Sequence, residues 1–116
     1  MNGGTEWVVD AFGCAPDRLR DETRVLSLLD AVVAALDLRV VGTPQVHTFP
    51  EPGGVTALYL LAESHLAIHT FPETGIATLN LYCCRPRPRF DWAAALTGFL
   101  GAARVTVREL ARGGAA

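Results

Sequence analysis

The sequence predicts an α+β two-layer sandwich, a mainly antiparallel sheet with two helices on one face. Three observations carry this reading. Short runs rich in β-branched and aromatic residues recur along the chain, as half-buried strands require. Two other segments set apolar residues at helical spacing behind an aspartate, the pattern of a capped amphipathic helix. The order strand, helix, strands, helix, strand then gives the helices one layer and the strands another. With 116 residues, the chain suits a single domain, 1–116, since domains cluster at roughly 100–150 residues.

The first strand is "TEWVVDAF" at 5–12, closed by the turn-prone "GCAPD". In "DETRVLSLLDAVVAALDL", Val25, Leu28, Leu29, Val32 and Leu36 share one helical face, with Asp21 as N-cap and an end near Asp37. "RVVGTPQVHTF" and "VTALYLLAE" read as two strands joined by the breaker "PEPGG" at 50–54. "HLAIHTF" and "GIATLNLYCC" form another pair joined through "PETG". Alternating prolines make "RPRPRF" a loop. "DWAAALTGFLGA" is a second helix, with Asp91 as N-cap and Trp92, Leu96, Phe99 and Leu100 on its apolar face; "RVTVREL" is a last strand. The sheet face without helices must meet solvent or another sheet, and the dense apolar strands favour the second.

Composition removes several classes of function. A net charge of −2 and the absence of low-complexity tails beyond "GGAA" speak against a nucleic-acid binder. No apolar run reaches the ~18–20 residues that span a bilayer, and the amino terminus lacks signal-peptide character. A soluble cytoplasmic protein is expected. Cys14, Cys83 and Cys84 are odd in number, two of them adjacent, which suits a reducing compartment and structural thiols. All ten positive residues are arginine. A lysine-bearing P-loop and a lysine-linked pyridoxal phosphate are thereby excluded.

The polar residues of "AESHLAIHTFPE" at 62–73 stand out within a strand. His47, His65, His69, Cys83 and Cys84 match no standard zinc spacing, and no metal is expected. Arg85, Arg87 and Arg89 could grip phosphate, but in a proline-rich loop a solvated run is the ordinary explanation. Ser64 beside His65 or His69 admits two readings from the residues alone. An imidazole can activate a hydroxyl, although no G-x-S-x-G elbow frames this serine. Equally, these can be polar groups satisfied within a core.

"ESHLAIHTFPE" closely resembles the processing motif of the prokaryotic S-adenosylmethionine decarboxylases, small pyruvoyl-dependent enzymes of spermidine synthesis. The likeness extends to "FGCAPDRL", "GTPQVHTFPEPGG" and "VTVRELARG". It implies self-cleavage between Glu63 and Ser64, giving a β chain 1–63 and an α chain 64–116. Ser64 Oγ would attack the Glu63 carbonyl, moving the acyl group from nitrogen to oxygen. Elimination would then free the Glu63 carboxylate and leave dehydroalanine, whose hydrolysis releases ammonia and leaves a pyruvoyl group derived from Ser64. That carbonyl captures a substrate amine and accepts electrons as CO₂ leaves, which gives the lysine-free composition a meaning.

By the same resemblance His69 assists processing as the base for the elimination, and the Thr56 hydroxyl helps it, where the family usually has serine. Cys84 returns a proton to the substrate carbon, while Cys83 stands where threonine is common; adjacent strand residues point oppositely, so only one faces the site. Phe49 and Phe71 match adenine-stacking positions, and Glu73 matches a carboxylate for the ribose hydroxyls. The implied substrate is S-adenosylmethionine, and the implied assembly is a homodimer of cleaved protomers with active sites near the boundary between copies. Asn80 stands for a usual aspartate, Arg85 for a usual glycine, and the loop "FPEPGG" is one residue longer. Two alternatives remain at this point: a pyruvoyl decarboxylase of arginine or ornithine, and a processing-defective homologue acting as a binding or regulatory partner.

Overall fold

The structure is a computed structural model and describes residues 3–114; residues 1–2 and 115–116, the outer ends of the amino-terminal and "GGAA" segments, lie outside the described residues. The chain runs β1 (Gly4–Phe12), α1 (Pro16–Leu19), α2 (Glu22–Ala35), β2 (Gln45–Thr48), β3 (Val55–Leu61), β4 (Ser64–Phe71), β5 (Ile76–Cys83), α3 (Trp92–Leu100) and β6 (Arg104–Arg112). One six-stranded sheet has the order β2-β3-β4-β5-β1-β6, and every neighbouring pair is antiparallel.

The helices begin at the expected aspartates. Asp21 accepts from the Arg24 amide at 3.2 Å, and Asp91 accepts from the Ala94 amide at 2.9 Å, each satisfying an otherwise orphaned donor. Val25, Leu28, Leu29 and Val32 of α2 are fully buried against the sheet. Each such side chain contributes about 1.5–3 kcal/mol by leaving water. Their partners alternate along the strands, as a two-residue period requires: Val55, Ala57, Tyr59 and Leu61 on β3, and Leu66 and Ile68 on β4.

Three expectations change. A third helix is present: "GCAPD" is not merely a turn, because Pro16 opens the single helical turn α1, where its missing N–H is not needed. The long strand expected from "RVVGTPQVHTF" is broken. Val40 makes only an isolated bridge to Leu61, Gly42 takes a positive φ of 71°, and regular pairing resumes at Gln45. The first long helix ends at Ala35, slightly before the expected Asp37.

The sheet face away from the helices has no covering element among the described residues. It exposes Leu58 and Leu60, at 45% and 62% of their full surface. With Val41 and Ala67 these border an open hollow of about 670 Å³.

Candidate active site

The strand β4 resolves the polar stretch by register. Its burial alternates, so His65, His69 and Phe71 lie on the uncovered face, whereas Leu66, Ile68 and Thr70 turn to the core. Thr70 is structural. Its buried hydroxyl donates to the Leu19 carbonyl at 2.7 Å and accepts from the Val55 amide at 2.8 Å, tying α1 to β3. The neighbouring chain passes so close that a Cβ at Gly54 would lie 2.5 Å from the Thr70 carbonyl oxygen.

One group of candidate residues gathers around His69. Thr56 on β3 lies directly opposite it, and Thr56 Oγ1 is 2.9 Å from His69 Nδ1. This bond fixes the imidazole's orientation. Phe49 follows β2, Phe71 ends β4 and Glu73 lies in the following turn. All five border one hollow of about 320 Å³. Phe49 and Phe71 remain 51% and 40% exposed, so aromatic surface is available to a flat ligand. Pro50 and Pro52 form another wall, and the Arg20 guanidinium holds that loop through the Pro52 carbonyl at 3.4 Å.

A second group sits at the other end of β4. Glu63 occupies the two-residue turn between Leu61 and Ser64, which pair with each other, and has a positive φ of 59°. A non-glycine residue held there costs of order 1–3 kcal/mol. The strain lies at the residue preceding Ser64. The Cys84 thiol donates to the Glu63 carbonyl, and the Arg85 guanidinium lies 3.8 Å from the Glu63 carboxylate. Cys83 is instead fully buried among core residues. Burial raises the Cys83 thiol pKa above its ordinary value, with the Arg87 guanidinium pulling the other way. Ser64, half-buried, has its hydroxyl 3.4 Å from the Ala62 carbonyl.

Within one chain these two groups do not meet. His69 stands five positions after Ser64, a run of roughly 16 Å at strand rise, and the odd spacing turns their side chains to opposite faces. Asn80 belongs to neither group. Its amide lies 3.2 Å from His65 Nε2 and donates to Glu6 at 3.2 Å, in a polar row on the uncovered face. Among the described residues, no three His, Cys, Asp or Glu side chains converge as a metal site.

His47 is a neighbour of the site that composition and spacing did not single out for this role. It pairs with Thr56 on the side opposite His69, and its ring meets Phe49 at 4.5 Å between centroids, nearly perpendicular at 83°. A signal for it exists in the sequence: "HTFPE" occurs at 47–51 and again at 69–73. The two copies flank β3 and supply both phenylalanines of the hollow.

The family model for S-adenosylmethionine decarboxylase matches residues 5–113. The S-adenosylmethionine decarboxylase proenzyme of Pyrobaculum islandicum is 37% identical over 87 residues, which cover 70% of this chain and 67% of that protein. The proenzyme of the same name from Carboxydothermus hydrogenoformans is 34% identical over 113 residues, 95% of this chain and 86% of that one. The crystal structure of adenosylmethionine decarboxylase from Aquifex aeolicus matches with a TM-score of 0.79 at 26% identity, covering 99% of this chain and 94% of that one. With the fold and both residue groups in place, these likenesses show that the chain belongs to the S-adenosylmethionine decarboxylase family.

Proposed function

We propose that the chain is a cytoplasmic, self-processing pyruvoyl decarboxylase that acts on S-adenosylmethionine and supplies the aminopropyl donor for spermidine synthesis. The observation that carries the processing step is the Glu63–Ser64 turn. A positive φ at Glu63 and a thiol donating to its carbonyl favour attack on that carbonyl, by strain and by polarisation. Cleavage there divides the domain into 1–63 and 64–116. Ser64 is consumed in becoming the pyruvoyl group, whose carbonyl supplies the electron sink for decarboxylation. Cys84, beside that position, is the proton donor to the product.

The reading requires two copies. His69, with Thr56 opposite it on β3, assists processing, yet lies toward the far end of β4 from Ser64. Packing the uncovered faces of two chains about a two-fold axis, with strands antiparallel, brings the partner's His69 over each Glu63–Ser64 turn, and Ser64, the first residue of β4, turns its side chain toward that face for the reaction. The exposed Leu58 and Leu60 favour such a contact, since large apolar patches mark interfaces. Phe49 and Phe71 then stack on the adenine, and Glu73 accepts from the ribose hydroxyls. The two exposed aromatic rings of this hollow favour S-adenosylmethionine over arginine or ornithine.

Intact mass tests the processing step: two fragments divided before Ser64 are expected, and a chain that stays whole on prolonged incubation contradicts it. CO₂ release from S-adenosylmethionine, arginine and ornithine, measured side by side, tests the substrate. Turnover of only the latter two overturns the substrate assignment.

A further inference from the structure

We infer that His47 is a positioning residue for ligand binding, holding the Phe49 ring ready for a flat base. The inference rests on the reading of the hollow as an adenosine pocket. Phe49 stands just beyond β2, the short edge strand, with half of its surface open. A ring in such a place swings between rotamers, and fixing it on binding costs affinity. His47 supplies the missing restraint, because the two rings meet edge to face at 4.5 Å, the arrangement aromatic pairs prefer.

The strand register makes this support firm. His47 pairs with Thr56, which pairs on its other side with His69, so the three residues form one row across β2, β3 and β4. Thr56 is joined to His69 by its hydroxyl at 2.9 Å. The row thus has two different jobs at its two ends: His69 is held for chemistry, and His47 holds an aromatic wall. The repeated "HTFPE" places a phenylalanine two residues after each histidine, and both phenylalanines face the same hollow.

The test compares wild type with His47→Ala, His47→Gln and His47→Phe. Intact mass reports cleavage, CO₂ release reports KM and kcat for S-adenosylmethionine, and calorimetry reports equilibrium binding of 5′-methylthioadenosine, an adenine-bearing probe that needs no turnover. His47→Ala is expected to weaken probe binding and raise KM about two- to tenfold, as loss of one aromatic pair implies, with the change falling on KM. His47→Phe, which keeps an aromatic edge, should recover most of the loss, and His47→Gln should not. Unchanged probe binding in His47→Ala overturns the inference, as does a loss confined to kcat or to cleavage. So does equal recovery by glutamine. A wild type that binds no probe overturns the adenosine reading itself, and this inference with it.

Discussion

Thr56 and His69 face each other across β3 and β4, with Oγ1 2.9 Å from Nδ1. The hydroxyl therefore holds the imidazole. Thr56→Val, similar in shape, is expected to slow self-cleavage on the order of tenfold, about the worth of one net hydrogen bond, and Thr56→Ser to preserve it. His69→Ala removes the base and should slow cleavage at least about a hundredfold. Time courses of intact mass give both numbers. Equal rates for valine and serine would deny the hydroxyl this part.

Strain at Glu63 yields a second expectation. Glycine accepts a positive φ without penalty, so Glu63→Gly should relax the uncut turn and slow cleavage several-fold, as relief of about 1 kcal/mol implies. Glu63→Ala keeps the strain but loses the exposed pairing with Arg85, which is worth little, and should cleave near the wild-type rate. Faster cleavage in the glycine variant would contradict this account.

The adjacent cysteines should separate cleanly. Cys84→Ala is expected to cleave but lose decarboxylation or release misprotonated product. Cys83→Ala should turn over and lose roughly 1 kcal/mol of stability from its core position. Turnover assays beside thermal melts check the pair; the reverse pattern would move the proton donor to Cys83.

Alkaline pH probes the core. Burial, then the hydrogen bond to Asp30 at 2.7 Å and its negative charge, raise the Tyr59 phenol pKa above its ordinary 10.0. Burial also raises Cys83 above its ordinary 9.0. The folded state holds these protons more tightly than the unfolded chain does. Their stabilising contribution is therefore complete below those ordinary values and lost as pH rises beyond them. Melting temperature should fall as pH rises above 9.0, and Tyr59→Phe should make the fall shallower, at a cost of about 1 kcal/mol near neutrality. An identical slope in both proteins would remove Tyr59 from the explanation.

Much of the fold was legible because local signals agreed with tertiary ones. Asp21 and Asp91 mark helix starts that the backbone obeys, and alternating apolar residues mark β3, β4 and β5. The single turn at Pro16 was too short to show a period. Gly42 and Pro44 interrupted a run that composition alone presents as one strand. The site was legible as residue types at a known motif, but its division was not. That Ser64 and His69 lie at opposite ends of β4, on opposite faces, follows from strand register, which a motif read along the chain hides. His47 was legible only as a titratable residue weighed for metal, since its contact with Phe49 depends on an edge strand rather than on a pattern of titratable groups.

The claim that each site is built from two copies can be tested by co-expression. A Ser64→Ala chain retains His69 but has nothing to convert, and a His69→Ala chain retains Ser64 but lacks its base. Alone, the Ser64→Ala chain should stay whole and the His69→Ala chain should cleave at least about a hundredfold more slowly than wild type. Together, mixed dimers should cleave the His69→Ala chain, and only that chain, as read by intact mass, with decarboxylation of S-adenosylmethionine appearing alongside. Two chains that remain whole when mixed dimers are present would contradict the shared site.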